Sequence, residues 1–309
     1  MIPLKLSQAL DGFFLNLQSR KLSTHTIQDY QNTLLHKFQV FLEKDYLVEE
    51  ITARHIQEFM AAQTKVSNKT ALNYHTGLSA FWTWALTEKI AREHIVRAVP
   101  APKPEQPDIV PYTQEEVRSL LKSLERSKIY RRPGQRPMTN TARNTERNRA
   151  IILFLVDTGI RNEECCNLKL RDLDRRNQRA YVFGKGAKER HVAFSARTHQ
   201  AIWRYLNLRS EATMNDPLFL METNRPFNRH RLLDLLQTIG DRAGVRDITI
   251  HRFRHTFAIE YLRNGGDPYT LQKLLGHSTL DMVKRYLAIV QADIEKAHRR
   301  ASPVDNWVL

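Results

Sequence analysis

The sequence predicts a mainly α protein with one small antiparallel β-sheet, and three observations carry that expectation. Apolar residues recur at helical spacing through most of the first hundred residues, with no competing alternation. One pair of short segments, 181–183 and 191–194, flanks the run G-K-G-A-K-E-R in the manner of a β-hairpin with a glycine-rich tip. The helical pattern then returns through about residue 300.

Taken in order, Ser23 or Thr24 caps a long helix in which Ile27, Tyr30, Leu34, Leu35, Phe38, Phe41 and Leu42 share a side. A short helix over 52–62 and a strong one over 68–88, carrying Leu72, Leu78, Phe81, Trp82 and Trp84, complete a bundle of about four helices. Pro100, Pro102, Pro104, Pro107 and Pro111 then make a stretch that is neither helix nor sheet interior, a semi-rigid connector. This divides the chain into a helical domain over 1–99, a linker over 100–112 and a second domain over 113–309. Thr113 with Glu116 forms a capping box that starts the next helix. The segment 126–149 is basic and polar and is expected as a surface loop, in which Arg131, Arg132, Arg136 and Arg143 are candidate phosphate contacts. An apolar helix over 151–156 stops at Gly159, just before Arg161. Beyond the hairpin, helices are expected over 196–209, 229–243, 251–264, 268–275, 279–289 and 292–300.

At 309 residues and 41% hydrophobic content the chain suits two ordinary globular domains. Lysine and arginine outnumber aspartate and glutamate by 48 to 33, a formal charge of +15 that attracts a polyanion. No apolar run reaches bilayer length and no signal-peptide pattern opens the sequence, so a soluble, cytoplasmic protein without a membrane partner is expected. The two cysteines, Cys165 and Cys166, are adjacent, a spacing that suits neither a disulfide framework nor a zinc site and reads as two reduced thiols.

The reactive inventory clusters late in the chain. His251 and Arg254 lie three apart, on one helix face, and Arg161 ends the run T-G-I-R. An arginine fork matches two phosphate oxygens at once and stays charged at working pH, which suits Arg161 and Arg254 to charge growing on phosphorus. His251 and His255 have the i, i+4 spacing of zinc peptidases, but Arg252, Phe253 and Arg254 stand between them with no glutamate base, so no metal site is expected. Tyr286 offers a phenol that attacks only if nearby cations or a base help remove its proton. Lys185, at the hairpin tip beside Lys188, is a candidate proton donor to a departing alkoxide. Together these groups can hold a phosphodiester and attack its phosphorus without a metal or another cofactor.

Through T-G-I-R-N-E-E, G-K-G-A-K-E-R, H-R-F-R-H-T-F-A and L-G-H-S-T-L-D-M-V-K-R-Y, in that order, the chain resembles the tyrosine recombinase, or phage integrase, family. The likeness is greatest to bacterial and mobile-element members such as the Xer recombinases, and extends over the N-terminal helical half. It implies a SAM-like core-binding domain followed by a tyrosine-recombinase catalytic domain. It further implies that Tyr286 is the nucleophile, forming a 3′-phosphotyrosyl link and freeing a 5′-hydroxyl. By the same likeness Arg161 and Arg254 bind the scissile phosphate, Lys185 protonates the departing oxygen and His251 helps manage the tyrosine proton. His277 contacts the phosphate, and Glu164 supports the site. The implied partners are double-stranded DNA and further copies of the chain in a DNA-bound tetramer, with neither ATP nor a divalent ion.

One feature departs from the simplest members: the basic 126–149 segment is long, which favours a mobile-element recombinase over chromosome dimer resolution. No separate arm-binding domain is expected before the bundle, in which the chain resembles the simple two-domain recombinases more than the larger phage integrases. In the family the C-terminal helix docks on a neighbouring protomer; here 291–300 with Trp307, Val308 and Leu309 offers such an element, or one that folds onto its own domain. A type IB topoisomerase shares the chemistry, and a DNA-binding regulator could keep the fold without it, although every reactive position is filled. The reading requires an open hydroxyl at 286 near the guanidinium groups of 161 and 254. The charge excess leads us to expect affinity for duplex DNA that falls steeply as NaCl rises in a binding titration; an affinity indifferent to salt would remove the polyanion argument.

Overall fold

A computed structural model describes residues 3–105, 107–125, 144–183, 189–209, 211–277, 279–302 and 304. It comprises two units, Met1–Asp108 and Ile109–Leu309.

In the first unit, α1 (Leu6–Ser19), α2 (Thr24–Thr33), α3 (Val40–Leu42), α4 (Ala53–Ala62) and α5 (Asn68–Thr87) enclose an aromatic core. Ser23 and Ser67 cap α2 and α5, each hydroxyl accepting a backbone N–H three residues on. The helix expected as one piece over 24–42 widens into a π-helical segment, Leu34–Gln39, between α2 and α3. The wider turn keeps positions four apart in line, and Leu34, Phe38 and Leu42 all reach the interior. There Phe38 meets Phe59 edge-on at 5.2 Å and Phe81 meets Trp82 at 5.0 Å, arrangements that aromatic quadrupoles favour.

The second unit runs α6 (Gln114–Lys122), α7 (Thr145–Thr158), α8 (Asn162–Asn167), β1 (Leu173–Asp174), β2 (Arg179–Phe183), β3 (Glu189–Ala193), α9 (Ala196–Leu206), α10 (Arg229–Ala243), α11 (Ile250–Arg263), α12 (Pro268–Leu275) and α13 (Asp281–Ala301). The strands form one antiparallel sheet in the order β1-β2-β3, with Val182 opposite Arg190 and Tyr181 opposite His191. Mainly α with a small antiparallel sheet is thus what the chain adopts. The capping box at Thr113 and Glu116 is present, with bonds of 2.8 and 3.1 Å. Arg252 lies 4.0 Å over the Tyr112 ring and pairs with Glu116, fixing the start of this unit to α11. Among the described residues no helix is long and apolar enough to cross a membrane. Cys165 and Cys166 are buried free thiols.

Two expectations need correction. The 126–149 segment is not loop throughout: Thr145 begins α7, and Arg147 is buried, donating to Asn148 Oδ1 and to the Leu220 carbonyl at 2.9 Å. The backbone and amide acceptors that bury this guanidinium come from distant chain, which local composition does not reveal. Residues 126–143, including Arg131, Arg132, Arg136 and Arg143, lie outside the described residues. The helices expected over 279–289 and 292–300 are one, α13, since no glycine or proline interrupts it; its N-cap is Leu280, without a side-chain cap bond. Ser278 and residues 305–309, with Trp307, Val308 and Leu309, are outside the described residues.

A large core spans α6 to the start of α11, with Phe154, Leu155, Ile202, Leu236 and Phe253 among its members. A smaller one joins α11, α12 and α13 through Ala258, Ile259, Leu262, Leu271, Leu275, Val283 and Tyr286. Gly159 ends α7 in the left-handed conformation, φ +57°, where an added Cβ would come 2.6 Å from Phe257. Gly244 ends α10 with φ +70° and open space around it. We therefore expect Gly244→Ala to cost about 1 kcal/mol in urea unfolding, and Gly159→Ala at least twice as much, as strain and overlap add; equal losses would mean that Phe257 yields freely.

Candidate active site

Three arginines from three elements end on one helix terminus. The last carbonyls of an α-helix have no partner within it and carry the negative end of the helix dipole. At the end of α12, Arg190 Nε donates to the Leu274 carbonyl at 2.7 Å, Arg254 to Leu275 at 2.6 Å and Arg161 to Gly276 at 2.9 Å. Gly276, at φ +63°, supplies the left-handed turn that exposes these oxygens. Arg254 also donates to the Gly159 carbonyl at 2.8 Å, so the end of α7 joins the same cluster.

Glu164 offsets part of this charge. Its carboxylate accepts from Arg190 at 2.6 and 2.8 Å, from the Arg161 guanidinium at 2.8 Å and from the Arg161 backbone N–H at 2.9 Å. Burial alone would raise its pKa; the bonds from Arg190 and Arg161 outweigh it and hold the group at about 2. One carboxylate against three guanidiniums leaves a formal surplus of two positive charges. Burial, together with Arg161 and Arg190, lowers Arg254 to about 10, so it stays protonated at neutral pH.

His277 follows the glycine turn, held by Gln272 through its backbone N–H at 3.0 Å and its carbonyl at 3.2 Å. Its Nε2 lies 2.8 Å from Arg254, an obligate donor, so Nε2 accepts and the neutral ring carries its proton on Nδ1. That Nδ1 is buried with no partner among the described residues, an N–H left without an acceptor. Burial and the neighbouring arginines push His277 down to about 4, which keeps it neutral. His251 keeps much of its surface open to solvent one turn before His255 on α11, and partial desolvation of its ring, with the Arg254 and Arg161 charges, lowers its pKa too.

Tyr286, on α13, is only 1% exposed. The expectation of an open hydroxyl is not met: the apolar face of α13 that covers α11 and α12 carries this side chain inward with Val283. Its environment is nevertheless polar at the tip, where the hydroxyl lies 2.9 Å from His255 Nδ1. Burial raises the phenol pKa, and Arg254 and Arg285 act against that rise. Arg161, Glu164, His251, Arg254, His277 and Tyr286 are thus brought together, whereas Lys185 and Lys188 lie outside the described residues. Two further residues take part. Arg190 stands within the quoted G-K-G-A-K-E-R run, and its placement two before the inward Val192 on β3 is the signal that it points to the interior. His255 shares a helix face with His251 and Arg254, a clue that the metal question absorbed. No group of three or more potential metal ligands occurs among the described residues.

Comparisons with known proteins agree on one family. Residues 112–292 match the model of the phage integrase family, and residues 10–92 match that of the phage integrase N-terminal SAM-like domain. The chain is 31% identical to the tyrosine recombinase XerC of Staphylococcus carnosus (strain TM300) over 291 residues, 92% of this chain and 93% of that protein. Among solved structures, the XerA recombinase is 25% identical with a TM-score of 0.52, covering 96% of this chain and 99% of that one. A lambda integrase tetramer bound to a Holliday junction gives a TM-score of 0.72 at 18% identity, covering 92% and 77%, a likeness of fold.

Glu164 makes a pH-dependent contribution of definite sign. Its pKa is lower in the folded chain than the ordinary 4.5, so the stability it supplies is present above that value and lost as pH falls towards about 2. Glu164→Gln is expected to lose about 3 kcal/mol in urea unfolding at pH 7, with the deficit shrinking between pH 4.5 and 3. A deficit that is the same at pH 3 and pH 7 would show that the carboxylate's charge is not its source.

Proposed function

The chain belongs to the phage integrase family and is a site-specific tyrosine recombinase acting on DNA, and we propose that it cleaves and rejoins strands through a 3′-phosphotyrosyl link at Tyr286. The observation that carries this is the surplus of two positive charges at the end of α12, set beside a tyrosine whose hydroxyl is already hydrogen-bonded. A scissile phosphodiester carries one negative charge and gains more as a fifth oxygen approaches phosphorus. Arg161 and Arg254, fixed before the substrate arrives, stabilise that added charge without reorganising. Glu164 holds Arg161 through both its guanidinium and its backbone N–H, and the Gly159 and Leu275 carbonyls, with His277 Nε2, hold Arg254. Lys185 is assigned the protonation of the leaving 5′-oxygen on its resemblance alone.

The covered phenol belongs to a resting form. Within α13, 21 residues long, only Val283 and Tyr286 are buried, and the Arg263–Asp293 ion pair is a further tie to α11. Leu280, Met282, Ile289 and Val290 pack partly buried against the same cluster, and a shift of this helix delivers the hydroxyl to a bound phosphate. A tetramer on paired DNA sites is the assembly we assign, by likeness to the lambda integrase tetramer on its Holliday junction. The first unit, through its SAM-like domain, would bind the DNA core, and the second would carry the chemistry. Because the ester retains the bond energy, a 5′-hydroxyl from another strand can reverse the step with a new partner.

Incubation with a nicked duplex in EDTA tests this. The wild-type chain is expected to form a protein–DNA adduct, Tyr286→Phe to form none, and Arg161→Ala or Arg254→Ala to slow it by about 100-fold or more. Recombinant products rather than relaxed circles distinguish exchange from a topoisomerase. An adduct that survives Tyr286→Phe would overturn the assignment.

A further inference from the structure

We propose that Arg190 is a positioning residue of strand cleavage: it neutralises Glu164, so that this carboxylate orients Arg161 without withdrawing positive charge from the scissile phosphate. The proposal rests on the recombinase reading above for its substrate, a DNA phosphodiester. Glu164 meets both arginines with the same two oxygens. Oε1 accepts from Arg190 Nη1 at 2.6 Å and from Arg161 Nη1 at 2.8 Å. Oε2 accepts from Arg190 Nη2 at 2.8 Å and from the Arg161 backbone N–H at 2.9 Å. Arg190 thus holds the carboxylate by a two-pronged fork, the stronger geometry, whereas the Arg161 guanidinium makes one bond to it.

Exposure separates the two arginines. The Arg161 side chain is 39% exposed and that of Arg190 only 11%, against a carboxylate that is 5% exposed. An anion arriving from solvent can reach Arg161, while Arg190 is closed off. Each of the three Arg190 nitrogens already donates within the chain, Nε to the Leu274 carbonyl at 2.7 Å and the other two to Glu164. Its stem lies against the Gly276 turn, where an added Cβ would come 3.2 Å from Arg190 Cδ. Arg190 is therefore built into the wall of the site and acts on the phosphate through its neighbours.

Charge decides what that action is. A scissile phosphodiester carries one negative charge and approaches two as the tyrosine oxygen adds to phosphorus. Three guanidiniums against one carboxylate leave a surplus of two, which matches the transition state; without Arg190, two against one leave a surplus of one, which matches only the ground state. In a site shielded from water, an uncancelled carboxylate bonded to Arg161 would offset much of the charge that this arginine presents. The loss of Arg190 is accordingly felt in the rate of cleavage more than in the binding of DNA.

The informative variants are Arg190→Gln and the double variant Arg190→Gln/Glu164→Gln, both in the full chain. Glutamine at 190 keeps a donor to the carboxylate and removes the positive charge. The second change removes the negative charge that Arg190 cancels and so restores the surplus. On a nicked duplex carrying the protein's footprinted site, single-turnover adduct formation is expected to fall by about 100-fold in Arg190→Gln, and the double variant to regain at least about tenfold of that loss. DNA affinity should stay within about threefold of wild type in both. Arg190→Lys keeps the charge without the fork and should lose about tenfold or less, which gives an independent comparison where Arg190→Gln does not fold. A residue that only staples β3 to α8 and α12 would leave the double variant as slow as Arg190→Gln or slower, because the anchor is still missing. That result, a loss below about threefold in Arg190→Gln, a lysine variant as slow as the glutamine one, or DNA affinity falling in step with the rate each overturns the proposal. If wild type itself forms no adduct, the recombinase reading fails and takes this role with it.

Discussion

The end of helix α12 is the constraint on which the site depends. Three guanidiniums would not gather in a protein interior unaided, because their mutual repulsion adds to the cost of leaving water. Here the repulsion is offset twice: by three successive carbonyls at the negative end of a helix, and by one carboxylate shared between Arg161 and Arg190. Each arginine reaches that terminus from a different element: the N-cap of α8, the strand β3 and the helix α11. Their directions are therefore set by backbone, with little freedom left in the side chains, and a phosphate entering the cluster meets donors already in position.

Much of this was legible in the sequence, and the reasons divide by physical type. Helices with strong local signals were read to the residue or nearly so. The helices expected over 229–243 and 268–275 match α10 and α12, and the structure shows the Asn228 and Asp267 side chains capping them. The reactive side chains were legible because chemistry restricts which residue types can serve. What escaped depends on distant chain. Arg147 looked like a loop arginine because the Leu220 carbonyl, which makes its burial affordable, is 73 positions away. Positions 290 and 291 separate two expected helices, although nothing in the backbone requires a break there.

Arg190 and His255 were present in the quoted motifs without a role, and the partners of both lie on other elements. Arg190 faces Glu164 across 26 positions, and His255 faces Tyr286 across 31. The burial of Tyr286 was hidden for the same reason. Helical spacing shows that Val283 and Tyr286 share a face, but not that this face lies against α11 and α12.

The convergence on one helix end also bears on how the chain tolerates length changes. Adding or removing a single residue within α12 rotates everything beyond it by about 100° and shifts it by about 1.5 Å. The carbonyls of Leu274, Leu275 and Gly276 would turn away from all three guanidiniums at once, and His277 would leave with them. Substitutions along that helix can be absorbed one at a time, whereas a frame slip cannot. Natural insertions and engineered tags in this unit should therefore be confined to segments outside 268–277.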